Sequence, residues 1–347
     1  MRRDSRETTV LASVIKAYTG TGEPVPSAVV ASKSGLNLSP ATIRAVMAEL
    51  TVMGYLAQPH VSAGRVPTAK ALRFYVDVVL TPRPLPRPQK DAITKALDLE
   101  SADIPHILRR ASGMVSSQCL QLGVVLAPRR DEMHWRTIEF SSISPSLVLA
   151  VLILDGGIVR TRMVPVSGEY TADELVRFGN YLNSSFKGCT LSEARRRIED
   201  ELALAGEQLE AMRRTALARS RPALDGLEEE REVFMDGIKT VSHSSEFADT
   251  ARLRELLSFM EERPKLLDLL ERTMREKDLS VSFIQGDYDA SPWAVVSAPY
   301  TADEAGGPLG VVSAVGLPNM DYARILPIVA HIAGAVASAM RRRLAGG

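Results

Sequence analysis

Scarcity marks this chain first: 347 residues hold two cysteines, two tryptophans and five histidines, and 42 basic side chains cancel 42 acidic ones. Cys119 and Cys189 stand far apart in no ligand spacing. That argues against a disulfide framework or a thiolate metal site and suits a reducing, cytoplasmic setting. The histidines are scattered, so no metal or other cofactor is expected. There is no glycine-rich phosphate loop, Ser/His/Asp set or paired-carboxylate arrangement above background, and an enzyme is not expected. The longest apolar run, Leu147–Leu154, is strand length, far short of the ~18–20 residues of a membrane span. The opening MRRDSRETTV lacks the apolar core of a signal peptide. No membrane partner is expected.

What is present is an ordinary soluble composition, 45% hydrophobic and 24% charged, in a chain long enough for two or three domains. The zero net charge hides an asymmetry. Residues 1–90 carry twelve Lys and Arg against five Asp and Glu, a net +7, and the remainder carries −7. A local basic excess supplies the sequence-independent, salt-sensitive part of DNA affinity, and an acidic remainder keeps off the duplex.

Residues 38–77 are the most informative stretch. Ser39 is a natural N-cap, and Pro40 after it is pre-set for the first helical turn. Ile43, Val46, Met47 and Leu50 fall at i, i+3, i+4, i+7, which predicts a buried stripe, and Gly54 provides a left-handed end. The opposite face carries Thr42, Arg44, Ala45, Ala48 and Glu49. Small residues let a helix backbone sink into a major groove, where Thr42 and Arg44 can reach bases or phosphates. Upstream, Asp4 with Glu7 predicts a capping box, and Val10, Leu11, Val14, Ile15 and Tyr18 a second stripe. A short helix over Ser27–Lys33 and a turn at Gly35–Asn37 complete a helix-turn-helix order. Downstream, Tyr55–Gln58 predicts a strand, and His60-Val-Ser-Ala-Gly-Arg65 a hairpin with a polar, basic tip. His60 and Ser62 are phosphate-contact candidates, and Arg65 can enter a minor groove or hold a phosphate.

Residues 81–90, TPRPLPRPQK, hold four prolines, which predicts an extended, helix-free spacer. Beyond it the patterns predict a helix over Ile104–Cys119 and strands over Leu122–Leu126, Trp135–Ile143, Leu147–Leu154 and Ile158–Val166. Helices over Asp173–Phe186 and from Leu191 to about Arg219 follow. The second has a largely apolar four-three seam at 191, 195, 198, 202, 205, 209, 212 and 216, fitting a packed helix pair within or between subunits. The last third predicts helices Ala251–Arg263 and Pro264–Glu276, strands Val281–Gln285, Trp293–Ala298 and Leu309–Val315, and a final helix Asp321–Arg343. That order suits an α+β multidomain protein: an N-terminal winged helix-turn-helix, then a GAF-like antiparallel sheet interrupted after its first strand.

The strings LSPATIRAVMAEL, GYLAQPHVSAGRVPT and LRFYVD closely resemble the bacterial heat-inducible transcription repressor family (HrcA), with weaker matches at VFMDGIKTV, EFADTARLRELLSFMEE and PLGVVSAVGLPNMDYARILPIV. The resemblance spans essentially the whole chain. It implies a homodimeric repressor that binds double-stranded DNA at an inverted-repeat operator upstream of chaperone operons, releases it on heat stress and is restored by a chaperonin. It also implies that the interruption is a dimerisation domain. The expected division is 1–80 for the winged helix, 81–90 for the linker, 91–129 with 221–347 for the GAF-like domain, and 130–220 for the inserted dimerisation domain. The DNA-binding set is Ser39, Thr42, Arg44, His60, Ser62 and Arg65. Two departures stand out: Ala45 replaces the family's usual Asn, and Gly316-Leu-Pro-Asn-Met320 replaces its Gly-Pro-Thr-Arg-Met. Two rivals stay open at this point, a metabolite-responsive winged-helix regulator and a winged helix that binds protein.

Overall fold

The computed structural model describes residues 5–60, 63–98, 103–129, 132–166, 168–204, 231–242, 254, 256, 258, 260–276, 278–284, 293–301 and 307–345. The fold is mixed helix and sheet. It opens with α1 (Arg6–Thr21), α2 (Ser27–Lys33) and α3 (Pro40–Val52), then two-residue strands β1 (Leu56–Ala57) and β2 (Val66–Pro67), and α4 (Ala69–Phe74). Ser5 caps α1 by accepting the Thr8 N–H at 3.2 Å. The cap is therefore one residue later than the expected Asp4, which lies outside the described residues. Val10, Leu11, Val14 and Ile15 of α1 meet Val30 of α2 and the stripe Ile43, Val46, Met47 and Leu50 of α3 in one core. After α4 a π-helical turn covers Tyr75–Val79.

The expectation that 81–90 is free of helix fails at its end, because α5 spans Arg87–Leu97. Pro88 sits in its first turn, where a missing N–H costs no hydrogen bond. Residues 81–86 form no helix or strand, and the Arg83 backbone N–H donates to the Ala323 carbonyl at 2.9 Å, so this stretch lies on the body.

The body is built on a five-stranded antiparallel sheet of order β7-β3-β10-β9-β8, from β3 (Leu122–Leu126), β7 (Val233–Asp236), β8 (Ser280–Ile284), β9 (Trp293–Tyr300) and β10 (Gly310–Gly316). Strand β7 is missing from the sequence reading. It is a four-residue edge strand with one buried side chain, Phe234, too short to show a period. Alternate residues feed two layers. Val125, Ala294, Val296, Val312 and Ala314 face α6 (Ile104–Cys119) and the terminal helix α11 (Tyr322–Ala345). Leu122, Val124, Val295, Val311 and Val315 face the other layer, which includes α9 (Ile238–Ser242) and α10 (Arg263–Arg275). Helix α11 is long and apolar enough to cross a membrane, yet just over half of that stretch is buried against sheet and helices, as for a core helix.

Between β3 and β7 the chain builds a separate three-stranded antiparallel sheet, β4 (Trp135–Ser144), β5 (Leu147–Leu154) and β6 (Val159–Pro165), followed by α7 (Ala172–Phe186) and α8 (Leu191–Leu204). Helix α7 lies across β4. Beyond Leu204 the expected four-three seam falls outside the described residues.

Candidate nucleic-acid interface

Helix α3 has the predicted cap. Ser39 Oγ accepts the Thr42 N–H at 3.1 Å and lies 2.9 Å from Thr42 Oγ1. With the apolar stripe sunk in the core, Ala41, Arg44, Ala45, Ala48 and Glu49 are exposed and Thr42 is half-buried. Ser39, Thr42 and Arg44 therefore share the N-terminal end of one helix, with Arg44 exposed. The exposed surface is small and polar, the shape a groove admits.

The hairpin follows. Leu56 pairs with Pro67 and Ala57 with Val66, and a turn is closed by the Ala63 N–H donating to the His60 carbonyl at 2.9 Å. Gln58 Nε2 braces it by donating to the Ala63 carbonyl at 3.2 Å. His60 is exposed near the tip, and Ser62 lies outside the described residues. The hairpin is pinned to the loop between α1 and α2 by two backbone bonds, Val25 N–H to Arg65 O at 2.9 Å and Arg65 N–H to Val25 O at 3.0 Å. Gly64 is required for that approach, since a Cβ there would overlap the Val25 carbonyl and stand 2.8 Å from the Pro24 carbonyl carbon.

Arg65 also has a partner within the head. Its Nε donates to Thr51 Oγ1 at 3.1 Å, near the C-terminal end of α3. Three further residues, unassigned in the sequence reading, hold the same corner. Lys70 Nζ donates to the Met53 carbonyl at 2.9 Å and lies 4.6 Å above the Tyr55 ring. Thr68 Oγ1 donates to the Gly54 and Tyr55 carbonyls at 2.8 and 3.1 Å, and the same hydroxyl caps α4 by accepting the Ala71 N–H. Tyr55 meets Phe74 edge to face, with ring centroids 5.7 Å apart. A Thr-Ala-Lys stretch opening a helix is a legible N-cap signal for Thr68. Nothing in the spacing announces the partners of Lys70.

The head meets the body through the second departing motif. Gly22, in the left-handed region at φ +69°, ends α1 against Asn319, and a Cβ there would stand 3.0 Å from Asn319 Nδ2. Tyr322 donates its hydroxyl to the Pro318 carbonyl at 2.8 Å, and burial holds this phenol well above its ordinary pKa. Arg83 Nη1 lies 3.2 Å from Asp321 Oδ2. Tyr75, Thr81 and Lys16 line a cleft of about 660 Å³ beside that pair. The turn at 316–320 is thus the seat on which α1 rests.

Among the described residues no group of three or more His, Cys, Asp or Glu is placed to hold a metal. Cys119 is buried, and desolvation pushes its thiol up to about 12, so it stays protonated at neutral pH.

Residues 105–326 match the family model described as the HrcA protein C terminal domain. The chain is 49% identical over 98% of its length, and 96% of the relative's, to the heat-inducible transcription repressor HrcA of Nitratidesulfovibrio vulgaris (strain DSM 19637 / Miyazaki F). It is 34% identical over 94% of its length, and 95% of the relative's, to that of Geobacter sulfurreducens. A crystal structure of a hypothetical protein solved at 2.2 Å resolution shares the fold, with a TM-score of 0.59 at 20% identity, covering 99% of this chain and all of that one. These relatives favour a heat-inducible repressor over a metabolite-responsive regulator. The chain belongs to the HrcA family of heat-inducible transcription repressors.

Proposed function

We propose that residues 1–80 are a winged helix-turn-helix that holds the operator, with α3 in the major groove and the 60–65 hairpin as the wing. The observation that carries this is the state of α3: capped by Ser39, apolar stripe fully buried, and the Thr42, Arg44, Ala45, Ala48 face open. Thr42 and Arg44 read or anchor in the groove, Ser39 lies against a phosphate, and His60 with Ser62 contacts the backbone beyond it. With Ala45 in place of an amide, this helix has few groups for base readout, and the spacing of two heads carries much of the specificity.

The repressor acts as a homodimer on an inverted repeat upstream of chaperone operons, because two-fold protein symmetry demands two-fold site symmetry. Residues 130–220 are the inserted dimerisation domain, and 91–129 with 221–347 the GAF-like domain that holds it. The dimer surface is the open face of the three-stranded sheet. Strand β5 buries Val148, Ala150, Leu152 and Leu154 and leaves Leu147, Leu149, Val151 and Ile153 half-exposed. Val159 and Met163 of β6 lie in register with Ile153 and Leu149 and are 53% and 51% exposed. This is an apolar strip that a second copy would cover. Heat releases the operator by lowering the folded fraction, for which one or two kcal/mol suffices, and a chaperonin restores it.

Footprinting on the organism's own genome at growth and heat-stress temperatures tests this reading. Protection of inverted repeats at the lower temperature and its loss at the higher is the expected result. Temperature-independent protection, or none, would overturn it.

A further inference from the structure

The sequence presents Arg65 and Lys70 as part of the basic charge of the DNA-binding head, but in the structure both side chains bond to the end of α3. We propose that Arg65 and Lys70 are positioning residues, which fasten the hairpin and α4 to the C-terminal end of α3 so that helix and wing meet DNA as one rigid unit. The proposal rests on the reading of the head as the DNA-binding part.

Helix α3 has no basic residue in its own last turn, so its terminal carbonyls carry the negative pole of the helix with no local cation. Two cations from later in the chain take that place. The Thr51 hydroxyl donates to the Met47 carbonyl at 2.8 Å, and its remaining lone pair accepts Arg65 Nε at 3.1 Å. The Arg65 charge is thereby relayed onto a carbonyl of the last full turn. Lys70 goes directly to the Met53 carbonyl at 2.9 Å, its ammonium also lying over the Tyr55 ring. Bonds with a charged donor are roughly twice as strong as neutral ones.

The fastening adds to the two backbone bonds with Val25, because the hairpin's own strands are short. Its strands are two residues each, and only Leu56 and Pro67 are buried in them. Arg65 is bound at both levels, its backbone to Val25 and its side chain to Thr51. One residue thus ties the wing to the α1–α2 loop and to the groove-facing helix at once. A guanidinium fits this role because Nε donates along a fixed direction, which the ammonium of lysine does not reproduce.

The test uses the full-length protein with Thr51→Val, Arg65→Ala, Arg65→Lys and the Thr51→Val/Arg65→Ala double variant, titrated against operator DNA over a range of salt. Expected is a loss of affinity of roughly 3- to 10-fold for Thr51→Val, with the double variant no worse than Arg65→Ala and no rescue by Arg65→Lys. Such non-additivity marks residues acting through one another. The slope of log affinity against log salt stays that of wild type. A slope smaller by about 0.9 in Arg65→Ala, with Thr51→Val binding as wild type, would make Arg65 a phosphate contact and overturn the proposal.

Hydrogen exchange on the free protein gives an answer that needs no DNA. Thr51→Val is expected to speed exchange at the Val25 and Arg65 amides about 5-fold or more, with the α6 amides unchanged. Unchanged exchange at Val25 and Arg65 would also overturn the proposal. If faster exchange were accompanied by salt-insensitive DNA binding in wild type, the fastening would stand and the DNA-binding reading would fall.

Discussion

The head and the inserted three-stranded unit face the same problem, holding a small sheet against a helix, and solve it differently. In the insert, strands of seven to ten residues form the sheet on which α7 packs, and one half-buried amide closes the contact. Asn183 Oδ1 accepts from Trp135 Nε1 at 3.0 Å and from the Ile138 N–H at 2.7 Å. Its Nδ2 donates to Thr137 Oγ1 and the Ile138 carbonyl, both at 3.0 Å. These bonds satisfy strand groups beside the register shift between Trp135 and Thr137, and Gly179 lets α7 sit 3.1 Å (from its notional Cβ) above the Ile138 carbonyl. In the head, the two-residue strands bury only Leu56 and Pro67, and Arg65, Thr68 and Lys70 make the joints. Such a contrast teaches where sequence changes strike: stability in the insert, geometry in the head.

The largest expected effect is Asn183→Ala, which strands the Trp135 indole and the Ile138 amide at about 1–3 kcal/mol each. Its free energy of unfolding is expected to fall by about 3 kcal/mol in all, read as a lower denaturant midpoint at unchanged slope, and a wild-type curve would break the contrast from the insert's side. Next comes Arg44→Ala, expected to cost about 1–3 kcal/mol of operator affinity if Arg44 touches a base, with an unchanged melting curve. Equal mobility-shift titrations for mutant and wild type would remove Arg44 from the contact set.

The head–body tether should matter less. Arg83 and Asp321 are 68% and 40% exposed, so Asp321→Asn is expected to shift stability by no more than about 1 kcal/mol, less in high salt. A larger loss would show that the seam at 316–320 is held by this pair instead of by the Arg83–Ala323 backbone bond. Smallest is the capping box of α7. Backbone and side-chain hydrogen bonds from Thr171 hold the Glu174 carboxylate below its usual value of 4.5. A depressed folded-state pKa gives stability that is present above the unfolded value and lost as pH falls through the folded one. Glu174→Gln is therefore expected to be slightly less stable than wild type at neutral pH, the gap closing in acid. A gap that persists or widens below that range would contradict the cap.

The legible parts were those where burial and period coincide. Strand β5 is an apolar run between two turn signals, and its expected bounds, Leu147–Leu154, are those observed. So are the bounds of α2 and α6 and the buried stripe of α3. Strand β7 escaped because four residues at a sheet edge show no alternation, and α5 because prolines in a first helical turn look like prolines in a spacer. The cap and buried stripe of α3 were legible from local spacing, whereas the bond from Arg65 to Thr51 was not. Thr51 lies fourteen positions from Arg65 across a hairpin, and no local pattern couples them.

We propose that little base readout per head is offset by the fixed spacing of two heads. Affinity for an operator with five base pairs inserted between its half-sites tests this most directly, since about half a helical turn places the second half-site on the opposite face of the duplex. The expected result is a fall toward the affinity of a single half-site. Affinity unchanged by the insertion would contradict it.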